Sequence, residues 1–110
     1  MDIRHIKKND ILVFAVDGRI DSGTSGILEK ELLAFIEKGE KNLLIDFSKM
    51  DYISSAGLRV LLMAAKRTGK MGGKTVLCAL CPNVREVFDI SGFSGIFSIY
   101  NAQDEAMRDF

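Results

Sequence analysis

Apolar residues along this chain fall into two patterns, unbroken runs and helically spaced rows. Ile11 to Val16, ILVFAV, is a continuous apolar run of strand length, which suits a strand covered on both faces. A weaker strand around Ile3–Ile6 precedes it through Lys8-Asn9-Asp10, and the two predict a hairpin. Next, Leu28, Leu32, Phe35 and Ile36 share one helical face, with Glu29, Lys30, Glu37 and Lys38 on the other. Asp21 and Ser22 supply capping chemistry before that helix, and Gly39 a stop after it. A strand over Asn42–Asp46, NLLID, follows.

A second helix opens near Ser55 and aligns Leu58, Leu61, Leu62 and Ala65 at i, i+3, i+4, i+7. The turn GKMGG ends it and leads to a strand over Thr75–Leu80. Pro82 suits the first position of a third helix, which turns Val84, Val87 and Phe88 inward and stops at Gly92. Ile96–Tyr100 predicts a last strand. Asn101 then caps a short terminal helix, with Asp104 in a capping-box-like position. The order ββαβαβαβα predicts an α/β domain with parallel β-α-β units and right-handed crossovers. The opening hairpin makes the sheet mixed.

Composition narrows the function classes. At 110 residues, 47% apolar and 27% charged, with no linker or repeat, the chain predicts one globular domain over residues 1–110. Lys+Arg and Asp+Glu number 15 each, so no cationic excess draws a polyanion. The basic run of Lys66, Arg67, Lys70 and Lys74 surrounds a helix end, where cations suit the dipole, so nucleic acid is not an expected partner. No apolar run approaches the ~20 residues that span a bilayer. The charged start MDIRHIKKND has no signal-peptide core. A cytoplasmic protein with no membrane insertion and two reduced cysteines is expected.

Three chemical motifs fail on spacing or context. TGKMGGKT, residues 68–75, has three residues between Gly69 and Gly73 where a phosphate-binding loop needs four. It also follows a helix and opens a strand, the reverse of that loop's setting. Cys78 and Cys81 have C-x-x-C spacing, but three residues apart on a strand they point to opposite faces. No further ligands make them a zinc site. No G-x-S-x-G elbow occurs, and His5, on the expected edge strand, is the single histidine able to serve as a base. No catalytic residue, metal or cofactor is expected.

DYISSAGLRVLL, Asp51 to Leu62, is different. Two hydroxyls stand where the carboxyl edge of the expected sheet opens a helix, the edge where α/β domains bind ligands. One serine, Ser54, suffices as N-cap, at about 1 kcal/mol. Ser55 is left over at the first helical position, where a phosphoryl group would meet backbone donors from Gly57 and Leu58. Gly57 removes a side chain beside it. Simple capping and a phosphoacceptor both fit the spacing. Arg59, four residues on, can reach the same face and pair with a phosphate or a partner's acid. Met50 and Tyr52 can add apolar contact area nearby, although packing of the loop accounts for them better.

The stretch resembles the signature of the anti-sigma factor antagonists, the STAS-domain family: aromatic, apolar, Asp, Ser, Ser/Thr, Gly, Leu. Tyr52, Ile53, Ser54, Ser55, Ala56, Gly57 and Leu58 occupy those places. GRIDSGTS, Gly18 to Ser25, resembles the family's Gly-x-Leu/Ile-Asp segment, and VREVFDISGFSGIF, Val84 to Phe97, its late helix and turn. The resemblance implies a small, mixed, mostly parallel sheet of four to five strands with helices packed mainly on one side. It also implies a non-enzymatic, monomeric or weakly dimeric protein that binds an anti-sigma factor, often a serine kinase, when unphosphorylated. Phosphorylation of Ser55 would abolish that binding, with Ser54 the second choice of acceptor, and a serine phosphatase would restore it. Asp21, Ser54, Ala56, Gly57 and Arg59 would line the partner face. Ser54 stands in place of the family's acid, and Ala56 in place of its following hydroxyl. These departures leave open a constitutive STAS subunit of a membrane transport or stress-signalling complex.

Overall fold

A computed structural model describes residues 1–110. Strands β1 (Asp2–Lys8) and β2 (Ile11–Ile20) precede helix α1 (Ser25–Glu37). Strands β3 (Asn42–Asp46) and β4 (Met50–Ile53) lead to α2 (Ser55–Lys70), and β5 (Lys74–Cys78) to α3 (Pro82–Ser91). A 3-10 turn (Phe93–Gly95), strand β6 (Ser98–Tyr100) and helix α4 (Gln103–Met107) complete the chain.

The sheet runs β1-β2-β3-β5-β6, with β4 paired to the far end of β2. Only β1–β2 is antiparallel; the other pairings are parallel. The α/β class and the mixed, mostly parallel sheet expected from the residue pattern are present. There are six strands, one more than the pattern indicates. The addition is β4, inside the segment read as a plain connection after NLLID. It exists because β2 runs on past Val16, bulges between Gly18 and Arg19, and offers Gly18–Ile20 as a new edge.

Local chemistry accounts for most boundaries. Lys8 pairs with Ile11, so Asn9-Asp10 is a two-residue hairpin loop, and Asn9 takes a positive φ of 56°. At the end of α1, the Gly39 N–H donates to Ile36 O and the Glu40 N–H to Phe35 O, closing a Schellman motif about the stop at Gly39. Gly73 is required by close approach: a Cβ there would lie 1.9 Å from the Lys41 carbonyl oxygen. Other boundaries moved. The N-cap of α1 is Thr24 rather than Asp21 or Ser22, and that of α4 is Ala102 rather than Asn101. β5 stops at Cys78, two residues early, where Ala79 turns to φ 62°.

Helices α1, α2 and α3 cover one face of the sheet. Leu28, Leu32, Leu58, Leu61, Val84 and Phe88 meet Leu12, Phe14, Leu43, Ile45 and Leu77 there. Each such buried side chain contributes about 1.5–3 kcal/mol. The opposite face carries a smaller cluster of Ile11, Val13, Leu44, Val76 and Cys78, covered by α4 through Ala106. This two-layer core fixes the start of α2 against the ends of β2 and β4.

Candidate functional site

Parallel pairing of β2 with β4 ends at Ile20 and Ile53, and the Ser54 N–H donates to Ile20 O at 2.8 Å. That bond ties the Asp21 loop to the start of α2. Ser54 has extended backbone, the N-cap conformation, and its Oγ accepts from the Gly57 N–H at 3.2 Å. Its carbonyl accepts from the Leu58 N–H at 3.0 Å. Ser54 is half-buried and committed to the helix.

Ser55 is the first helical residue, exposed, and its hydroxyl has no protein partner. The amides of Gly57 and Leu58, expected to be free for an incoming phosphoryl group, are both taken by Ser54. Free donors lie two residues earlier, at the N–H groups of Ser55 and Ala56. No residue in the first turn of α2 itself carries acidic charge to offset the positive end of the helix dipole.

Gly57 has a different reason from the one its position suggests. It is buried, and a Cβ there would come within 2.7 Å of Ile20 Cγ2 and 2.8 Å of Ile53 Cγ1. Glycine lets the helix settle onto two strand ends; it does not clear room for an anion, and its surface is withdrawn from a partner. Ala56 is half-buried, and Arg59 is exposed with no ion pair.

Asp21 is half-buried and turned onto its own loop. Its Oδ1 accepts from the Thr24 N–H at 2.9 Å, the Gly23 N–H at 3.0 Å and the Thr24 hydroxyl at 3.1 Å. The backbone N–H of Thr24, then its hydroxyl, hold the Asp21 carboxyl below the usual carboxylate range. The residue therefore presents a fixed, ionised loop beside Ser54.

One feature of this edge is not visible in the residue pattern. Arg19 and Tyr52 are opposite in the β2–β4 register, and the Arg19 guanidinium stacks 4.2 Å from the Tyr52 ring centroid. Tyr52 remains 40% exposed. The pairing depends on β4, so no local signal marks it. Met50 is buried at 2%, so it packs the loop, the favoured of its two expected roles, and adds no apolar surface.

The motifs set aside lie elsewhere. His5 packs on the Phe35 ring, at 4.7 Å between centroids, and lies on β1. Cys78 belongs to the rear cluster and Cys81 packs against the front one, with both thiols free. Burial, then the Asp46 carboxylate, pushes the Cys78 thiol up to about 12, so it is an inert core side chain at neutral pH. No group of three or more His, Cys, Asp or Glu side chains is placed to hold a metal. No helix is long and apolar enough to cross a membrane.

The STAS domain family profile matches residues 2–106. The chain belongs to the STAS domain family. It is 44% identical over 104 residues to a Bordetella bronchiseptica protein assigned as the anti-sigma factor antagonist BtrV, covering 94% of this chain and 90% of that one. An anti-sigma factor antagonist from Mycobacterium paratuberculosis superposes with a TM-score of 0.89 at 26% identity, over 98% of this chain and 92% of the other. The Bacillus cell fate determinant SpoIIAA, solved in its phosphorylated form, superposes with a TM-score of 0.77 at 19% identity, over 98% of both chains.

Proposed function

We propose that this chain is an anti-sigma factor antagonist whose docking edge is the start of α2 with the adjoining ends of β2 and β4. It acts as a regulatory binding module rather than a catalyst. Unphosphorylated, it sequesters an anti-sigma factor that is also a serine kinase. Phosphorylation of Ser55 releases that partner, and a serine phosphatase resets the switch.

One observation carries the reading: Ser54 is used up in capping, while the neighbouring Ser55 hydroxyl is exposed and unengaged. The names borne by BtrV and the mycobacterial relative support the partner class. A phosphoserine carries about −1.5 to −2 charges. At a helix N-terminus it stabilises its own helix, so the fold persists while the docking edge gains charge and bulk. Turning a partner from 99% bound to 99% free takes about 5.5 kcal/mol of differential affinity. A phosphate buried at an interface without a counter-charge supplies several of those.

The test is to incubate the chain with ATP and the products of its genomic neighbours, then locate phosphate by mass spectrometry. Phosphate on Ser55, absent from Ser55→Ala and accompanied by partner release, is expected. Stable binding with no phosphate on any serine would favour the constitutive-subunit reading, which Ser54 and Ala56 at the family's acidic and hydroxyl positions motivate.

A further inference from the structure

Helix α2 is charged in one sense only. It carries Arg59, Lys66, Arg67 and Lys70 and no acidic residue, in a chain whose total charge is zero. None of the four enters an ion pair; the bridged cations are Arg4, Lys7, Lys74, Arg85 and Arg108. Together with Leu62 and Met63, they line a shallow depression of about 400 Å³ on the solvent side of the helix.

Helix stability explains only part of this. Arg67 and Lys70 lie in the last turn, where the dipole favours cations. Arg59 lies in the second turn, nearer the positive end. Lys66 and Lys70 are like charges at i, i+4, an arrangement that works against the helix. Arg59 and Lys66 thus gain nothing from their own element and nothing from the rest of the fold.

We propose, resting on the antagonist reading above, that this strip docks an acidic amphipathic segment of the partner. Carboxylates would meet the four cations, and apolar residues would sit over Leu62 and Met63. The strip begins one turn from Ser55, so it continues the docking edge along the helix. A phosphate on Ser55 would stand at its head, compete for Arg59 and repel the acidic segment.

The test uses the full chain. Lys66→Glu/Lys70→Glu and the milder Lys66→Gln/Lys70→Gln change exposed positions and are checked for folding by thermal melts. Each is titrated with the anti-sigma factor that the incubation above identifies and with a synthetic helical peptide bearing a row of glutamates beside a row of leucines. A glutamine version of the peptide, a DNA duplex and phosphatidylglycerol vesicles serve as competitors. Expected results are a loss of affinity for the anti-sigma factor of roughly tenfold or more in the Glu variant, less in the Gln variant. The acidic peptide should shift the α2 amide resonances in a salt-sensitive way, and the glutamine peptide should not.

Unchanged affinity in the Glu variant, with binding abolished by Ser55→Asp, would overturn the strip and leave the antagonist reading intact. Tighter binding of duplex or vesicle than of peptide would also overturn it, as would charge reversal that altered only self-association. Failure of the wild-type chain to bind the anti-sigma factor would defeat the antagonist reading, and the peptide titration would still decide the strip.

Discussion

Two pairs of hydroxyls bracket α2. Ser54 and Ser55 stand at its start; Thr68 lies in its last turns and Thr75 just beyond, in β5. Thr68 is fully buried and its Oγ1 lies 2.9 Å from Ala64 O, 3.2 Å from Ala65 O and 3.0 Å from Thr75 Oγ1. Every polar atom of that pair is spent inside the protein. Ser54 is likewise spent, on Gly57, but Ser55 is not. A buried polar pair holds elements in place, whereas a single spare hydroxyl at a helix start is available for chemistry. The two ends of one helix thus divide into a fastening and a candidate switch.

The largest effect should separate the two ends by function. Ser55→Asp places a permanent charge at the proposed docking edge and should weaken anti-sigma factor binding by about 3–5 kcal/mol, measured calorimetrically. Its melting temperature should stay at or slightly above wild type, because an acid at the first helical position suits the dipole. An aspartate variant that binds like wild type would leave Ser55 without a switching role.

Thr68→Val tests the fastening. It leaves the Thr75 hydroxyl buried with no partner, which should cost about 1–3 kcal/mol of unfolding free energy. Thr68→Val/Thr75→Val removes both hydroxyls together and should be closer to wild type than the single variant. A double-mutant cycle by urea denaturation reads this coupling directly, and additive losses would show that the pair is not coupled. Neither variant should alter partner affinity.

Ser54→Ala and Ser55→Ala then distinguish neighbours within the other pair. Loss of the cap should destabilise the chain by about 1 kcal/mol, whereas loss of the spare hydroxyl should leave the melting temperature within error. Equal destabilisation by both would mean that Ser55 shares the capping role.

What was legible in the residues follows the range of the forces involved. The start of α2 could be read because capping is local: Ser54 bonds three residues ahead. The face of α1 could be read because its burial repeats with the helical period, and the ILVFAV strand because an unbroken apolar run of strand length needs cover on both faces. Strand β4 could not. Its four residues bury only Met50 and Ile53, and its pairing is set by a bulge in β2 some thirty residues earlier. Gly57 was misleading for the same reason, since the side chains that exclude a Cβ, Ile20 and Ile53, belong to that unforeseen pairing. The Arg19–Tyr52 stack was hidden with it.

The smallest effect should appear in acid, at the Asp21 loop. Asp21 is braced by the Thr24 and Gly23 N–H groups, and its folded pKa lies below the unfolded value of about 3.9. A depressed carboxylate stabilises the loop at every pH above that unfolded value. The contribution is lost as pH falls through the folded pKa, so nothing should change between neutrality and weak acid. Because Ile20 O accepts from the Ser54 N–H, loosening of this loop reaches the Ser54–Ser55 end of α2. The Thr68–Thr75 fastening contains no titrating group and should not follow. Amide protection factors measured down a pH series should therefore fall at Gly23, Thr24 and Ser54 while those around Thr68 hold, and Asp21→Asn should remove the pH dependence. Equal loss at both ends would mean that acid acts on the whole domain and that the two ends of α2 are not independently held.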